Sequence, residues 1–106
     1  MANGLLAKAA LVAGVPSEVY QTTASVQFAT ASIYVLNTNA SIATVDVWFS
    51  TSASPSAGDK VVSQTQVPAA GGELVLDCRL LSPGERIFVQ SNVSSCFVRV
   101  EGLEKA

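Results

Sequence analysis

The sequence contains no histidine, and this absence narrows the chemistry that the chain can perform. Histidine is the commonest general base, activates many serine and cysteine nucleophiles, and is the commonest side-chain metal ligand. Ser-His-Asp and Cys-His arrangements are therefore excluded, and two cysteines without histidine cannot complete an ordinary zinc site. We expect a protein that is not an enzyme.

The acidic and glycine residues add no alternative chemistry. No two carboxylates have the spacing of a recognisable acid/base pair, and no segment matches a calcium-binding loop. Gly71-Gly72 and Pro83-Gly84 lack the glycine spacing of a phosphate-binding loop and are interpreted as turns. We therefore predict no catalytic, cofactor-binding or metal-binding residues.

Charge is scarce as well. Charged residues make up 13% of the chain, which is about half of the usual share. The basic residues are scattered singly, whereas nucleic-acid binding requires clustered phosphate contacts, so nucleic acid is not an expected partner. Residues 1–57 carry only Lys8, Glu18 and Asp46 as charged residues, which makes this half the better candidate for burial against neighbouring proteins.

No apolar run has the length of a membrane span. The stretch over residues 5–13 is interrupted by Lys8 and is far shorter than the ~20 residues that a spanning helix needs. It also lacks the preceding positive charge and the clear cleavage site of a secretion signal, so we expect folding in a cytoplasm and no membrane partner. Two interpretations of segment 1–15 remain open: an edge strand of the fold, or an arm that docks on a neighbouring subunit.

The two cysteines are too few for a disulfide framework. Cys78 shares strand parity with Leu76, and Cys96 shares parity with Val98, so both thiols are predicted to face the core. Buried free thiols are the main interpretation. An intrachain Cys78–Cys96 disulfide is the alternative.

The sequence is rich in β-branched residues, which occur in short runs divided by Gly, Pro, Asn and Ser and therefore predict strands. About seven runs have strand character, at residues 18–23, 26–37, 42–51, 60–67, 73–80, 86–92 and 95–103. Short strands joined by tight turns are typical of antiparallel sandwiches or barrels. We predict an all-β fold in which residues 16–106 form a single antiparallel β-sandwich, Ig-like or jelly-roll-like, with residues 1–15 as an N-terminal arm or edge segment.

Alternation within the runs predicts which side chains face inward. In the last run, Val98 and Val100 are predicted to face the core and Arg99 and Glu101 the solvent. The run over 26–37 has aliphatic or aromatic residues at both parities, which is typical of a strand buried on both faces.

Large apolar residues at outward parity are candidates for contact with other proteins. Trp48 shares parity with Asp46, while Phe88 and Phe97 are out of phase with their inward-facing neighbours. Such rings are usually covered, and for Trp48 two interpretations stay open: core burial against the N-terminal segment, or contact with a subunit or receptor. With the N-terminal leucines, the predicted interface residues are Leu5, Leu6, Leu11, Trp48, Phe88 and Phe97.

Short motifs of turn and strand residues extend over nearly the whole chain. They are Gly4-Leu5-Leu6-Ala7-Lys8-Ala9, Val19-Tyr20, Leu36-Asn37, Ser50-Thr51 with Pro55, Gly72-Glu73-Leu74, Leu81-Ser82-Pro83-Gly84-Glu85-Arg86-Ile87-Phe88-Val89 and Val98-Arg99-Val100-Glu101-Gly102-Leu103-Glu104. In these motifs the chain resembles small structural proteins of tailed phages, which are Ig-like β-sandwich modules of the virion. The resemblance implies a capsid-decoration or tail-neck accessory protein.

The resemblance also implies what the protein does. A protein of this kind decorates or cements a capsid, or its neck or tail, through protein–protein contacts. Its expected partners are other virion proteins (major capsid, tail or neck subunits) and further copies of itself, and it is expected to fold in the host cytoplasm before assembly into the virion. The alternative is a receptor- or glycan-binding module of a tail fibre or spike that uses loops such as 52–58. That loop has no aromatic residue, which argues against glycan stacking.

Overall fold

The computed structural model describes residues 3–23 and 25–105. Within these ranges the chain forms β1 (Asn3–Ala10), β2 (Ser17–Gln21), β3 (Phe28–Asn37), β4 (Ala43–Ser50), β5 (Lys60–Val67), β6 (Gly72–Leu81), β7 (Arg86–Ser91) and β8 (Cys96–Lys105), with a short 3-10 helix, Ala57–Asp59, before β5. Met1 and Ala2 of the predicted segment 1–15, and Ala24 and Ala106 of the predicted domain 16–106, lie outside the described residues.

The strands form two antiparallel four-stranded sheets, in the orders β1-β8-β3-β6 and β2-β7-β4-β5. The chain resembles one long folded hairpin, because β4 pairs with β5, β3 with β6, β2 with β7 and β1 with β8. Eight strands in this order make a jelly roll, whereas an Ig-like domain with seven strands distributes them differently. The predicted antiparallel β-sandwich is therefore confirmed, and the jelly-roll type is the one that the strand order matches.

The core lies between the two sheets and consists of inward-facing aliphatic residues of moderate size. This composition suits two sheets that pack about 10 Å apart. The largest of its buried aliphatic side chains are Ile33, Val35, Val45, Val47, Val67, Leu81, Ile87, Val89, Val98 and Val100. The prediction that Val98 and Val100 face inward is confirmed. Arg99 is exposed and Glu101 half-buried, as expected for the outer face.

The N-terminal segment supplies β1, which is the edge strand of the first sheet. Its register against β8 runs from Asn3 opposite Leu103 to Ala10 opposite Phe97, with a bulge at Leu6. Leu11, directly after β1, is only 6% exposed and belongs to the core cluster. Leu11, one of the predicted interface residues, therefore offers little surface to another protein, because its side chain fills this chain's own core.

Asn37 is a buried polar residue that joins two turns at one end of the sandwich. Its Nδ2 donates hydrogen bonds to the carbonyl oxygens of Ser41 at 2.9 Å, Val67 at 3.2 Å and Pro68 at 3.2 Å. Its Oδ1 accepts a hydrogen bond from the backbone N–H of Asn39 at 2.9 Å. A buried amide is tolerated when its donors and acceptor have partners, and here it fixes the β3–β4 turn against the end of β5.

The prediction that Cys78 faces the core is wrong. Ala31 lies opposite Arg79 and Ile33 opposite Leu76, so two β6 residues face Ser32 in a β-bulge. A bulge changes strand parity, and Cys78 is exposed, with a positive φ of 49° and its N–H donating to Ser32 Oγ at 3.1 Å.

The Cys78–Cys96 disulfide, which was the alternative interpretation, is absent. Both cysteines are free, Cys78 exposed and Cys96 buried. They lie on opposite sides of β3, and Cys96 pairs with Asn37 at the far end of the sheet from the β6 bulge. This separation exceeds the ~7 Å between Cα atoms that a disulfide allows.

The strand predicted to be buried on both faces, β3, is buried on its inner face only. Ile33 and Val35 are fully buried. On the opposite face Tyr34 is half-buried and Leu36 is 38% exposed, because no further layer formed by residues 3–23 and 25–105 covers the first sheet there.

Candidate functional site

The outer face of the first sheet carries apolar side chains at positions where a solvent-facing sheet is usually polar. Strand register places them in adjacent rows across the sheet. One row is Ala10, Phe97, Leu36 and Glu73, and the next is Lys8, Arg99, Tyr34 and Val75. We refer to Ala10, Tyr34, Leu36, Val75 and Phe97 as the Phe97 patch.

The Phe97 patch is open to solvent. Phe97 is 46% exposed, Val75 41% and Leu36 38%. The surface over β1, β8 and β3 is concave, with a volume of about 830 Å³ lined by Ala10, Tyr34, Leu36 and Phe97 together with charged neighbours. Contiguous exposed apolar surface of this kind marks sites of interaction with another molecule.

Charged residues flank the Phe97 patch with opposite signs at its two edges. Lys8 lies on β1 at one edge, and Glu73 lies on β6 at the other. Between them, Arg99 Nε makes an ion pair with Glu101 on the same strand. Lys8 and Glu73 take part in none of the ion pairs formed by residues 3–23 and 25–105, so both charges remain available to a bound partner.

Two predicted interface residues lie at this face and are exposed. Phe97 is at the centre of the patch, and Leu5, which is 42% exposed, lies further along β1 opposite Glu101. Leu6 is half-buried and packs against the core, because the β1 bulge places it outside the regular alternation.

Trp48 and Phe88, two further predicted interface residues, offer little surface for contact with another protein. They are a cross-strand pair on the outer face of the second sheet, yet they are only 8% and 4% exposed. Lys60 Nζ lies 5.1 Å from the centroid of the Trp48 ring and 3.2 Å from Asp46 Oδ1, so an ion pair of the chain itself covers the indole. Trp48 is buried as one interpretation proposed, but β1 belongs to the other sheet and does not cover it.

Three residues of the patch, Tyr34, Leu36 and Val75, were not predicted as interface residues. The available signal was parity, because Tyr34 and Leu36 have the opposite phase to Ile33 and Val35. Their exposure could not be read from parity alone, since it depends on whether another layer covers that face.

The described part of the chain also bears on metal binding and on membrane spanning. Within it no group of three or more His, Cys, Asp or Glu side chains is placed to hold a metal ion. None of the helices that these residues form has the length and apolar character needed to cross a bilayer. The arrangement on the first sheet is suited to binding through apolar contact and flanking charges.

No protein-family model matches the sequence, no curated protein is significantly similar to it, and no solved structure matches it at a significant level.

Proposed function

We propose that the chain is a non-catalytic structural protein of a tailed-phage particle, where it decorates or cements the capsid or its neck or tail. Its contact surface is the outer face of the first sheet. The observation that carries the proposal is the exposed Phe97 patch, an apolar surface on a chain whose sequence motifs resemble those of phage structural proteins.

The composition of the patch agrees with a protein–protein contact. Interfaces concentrate aromatic and aliphatic residues at their centre and place charged residues around them. Here Phe97 and Leu36 are central, and Lys8 and Glu73 lie at the margins. Jelly rolls occur in viral capsid proteins, but the fold alone does not select a function because lectins and other proteins share it.

The test is co-sedimentation of the purified protein with heads or tails assembled without it. We expect the wild-type protein to sediment with one of these particles. The Phe97→Asp variant should lose most of this binding, because the substitution places a charge at the centre of the apolar contact.

The matched control is Ile42→Asp. Ile42 is 54% exposed, comparable to Phe97, but it lies in the turn between β3 and β4, directly before β4 of the second sheet, and does not line the concavity. Binding should survive in this variant. Failure of the wild-type protein to associate with any particle component would contradict the proposal.

One observation favours a second candidate, a receptor- or glycan-binding module of a tail fibre or spike. The concavity holds the rings of Tyr34 and Phe97 beside Arg99 and Glu73, which together offer stacking and hydrogen bonding. The site would then be the sheet face rather than loop 52–58. A screen of bacterial surface glycans distinguishes this function, since saturable binding lost in Tyr34→Ala would support it.

A further inference from the structure

We propose that the partner covering the Phe97 patch is a second copy of the chain, packed face to face about a two-fold axis that runs parallel to the strands between β3 and β8. The inference rests on the proposed function, because it names the neighbour across the same contact surface: on the particle, copies of the chain would contact each other through this face. A two-fold contact requires a surface that is complementary to itself. The order of the side chains along the rows of the Phe97 patch makes this surface complementary to itself.

The two-fold axis brings each strand of one copy opposite a defined strand of the other. With four strands in the order β1-β8-β3-β6, β1 faces the partner's β6 and β8 faces the partner's β3. Phe97 then packs on the partner's Leu36, and Leu36 packs on the partner's Phe97. Apolar side chains meet apolar side chains at the centre of the contact.

The charges are complementary in the same arrangement. Ala10 faces the partner's Glu73, and Lys8 lies one row away, within reach of that carboxylate. The symmetry repeats this ion pair at the opposite edge. Arg99 faces the partner's Tyr34, which allows its guanidinium to stack on the ring.

A two-fold axis perpendicular to the strands is disfavoured by charge. It would place each strand against its own copy, so that Lys8 on β1 approaches the partner's β1 and Glu73 approaches the partner's β6. Like charges would then meet at both edges, which costs free energy. The charge pattern therefore selects the strand-parallel axis.

The face has nearly the area that such a contact needs. Strands of up to ten residues rise ~3.3 Å per residue and lie ~4.8 Å apart, so four of them cover roughly 600 Å² in projection. Stable interfaces bury about 800 Å² of accessible surface per partner, and accessible area exceeds projected area. The single face is sufficient for a reversible dimer.

Sedimentation velocity of the purified full chain tests the association directly. We expect a monomer–dimer equilibrium between about 1 µM and about 500 µM. Phe97→Asp and Leu36→Asp should each shift the equilibrium to monomer by more than tenfold in dissociation constant, while Ile42→Asp should leave it unchanged. Circular dichroism would verify folding, which we expect to persist because Phe97 and Leu36 are exposed.

Cross-linking tests the geometry. In a Cys78→Ser background, which removes the exposed native thiol, Ala10→Cys and Glu73→Cys would be introduced together. Within one chain these positions lie three strand spacings apart, ~14 Å, too far for a thiol cross-linker that spans only ~10 Å. Across the proposed two-fold axis they face each other at the ~10 Å spacing of packed sheets, so a bismaleimide of about that span should give a covalent dimer. Ala10→Cys alone should give much less.

The outcomes separate the two proposals. A monomer at all concentrations, a trimer, or a dimer insensitive to Phe97→Asp and without the cross-link would overturn the self-pairing inference. If the protein is monomeric but Phe97→Asp still abolishes binding to particles, the self-pairing inference fails and the proposed function stands. If the cross-linked dimer forms but no particle component binds it, the proposed function fails and self-pairing stands.

Discussion

Single residues at the boundary between the two sheets link them electrostatically, and Tyr20 is the clearest case. It lies half-buried on β2 of the second sheet, and its hydroxyl donates a hydrogen bond to the Glu104 carboxylate on β8 of the first. Burial, then the hydrogen bond and negative charge of Glu104, raise the pKa of Tyr20 well above its ordinary value of 10.0. The phenol is therefore neutral in the folded state at pH values where it ionises in the unfolded chain.

This difference predicts a loss of stability at alkaline pH. Below pH 10 the phenol is protonated in both states, whereas above it the unfolded state loses the proton first, so the free energy of unfolding falls as pH rises. Urea unfolding at pH 8 and pH 11 should show this fall. Tyr20→Phe should reduce the pH dependence, and Tyr34→Phe, on the outer face of the first sheet, should retain it. An unchanged alkaline loss in Tyr20→Phe would contradict the assignment.

At the scale of strands, bulges and close approaches decide which side chain faces where. Parity holds along β8, where Val98 and Val100 are buried, and it fails along β6, where the bulge turns Cys78 outward and allows Leu81 to enter the core.

Gly102 on β8 lies at a close approach between the backbones of β3 and β8. A Cβ at this position would lie 1.8 Å from the carbonyl oxygen of Thr30 on β3.

The contact predicts that Gly102→Ala is destabilising. The strands must separate to admit the methyl group, which we expect to cost about 1–3 kcal/mol in the free energy of unfolding. Gly58→Ala is the matched control, because Gly58 has open space around its Cα and no positive φ. Its effect should stay within about 0.5 kcal/mol. Equal stability of the two variants in urea unfolding would show that the β3–β8 contact is looser than described.

For the whole molecule, the N-terminal segment is part of the sandwich. Leu6, Ala7 and Ala9 of β1 pack against the hydrophobic core, and Leu11, directly after β1, lies within it. The segment therefore belongs to the same core as the other strands. Small domains of this size usually unfold in a single cooperative transition, and loss of one core side chain then lowers the stability of all strands together.

Leu11→Ala tests this assignment. Leu11 is 6% exposed and its neighbour Val12 is 61% exposed, so the two positions differ mainly in burial. We expect Leu11→Ala to lower the free energy of unfolding by about 2–5 kcal/mol. Val12→Ala should change it by less than about 0.5 kcal/mol. Thermal and urea unfolding would measure both, and a small effect of Leu11→Ala would indicate that the segment packs independently of the core.

The amino-acid sequence by itself determined the all-β class, most of the strand positions and the inward side of strands such as β8. These features depend on local chemistry: β-branched runs favour extended backbone, Asn, Gly and Pro end them, and period-two alternation marks one face. The outward direction of Phe97 followed from the same alternation.

The tertiary structure alone decided which outward apolar residues are exposed. Trp48 and Phe97 have the same kind of outward parity, yet Lys60 from a neighbouring strand covers Trp48, while nothing in the described chain covers Phe97. The tertiary structure also decided that Cys78 is exposed, because the bulge that turns it outward depends on the register between two strands distant in sequence. Exposure and register depend on long-range pairing, which the local pattern of residues does not encode.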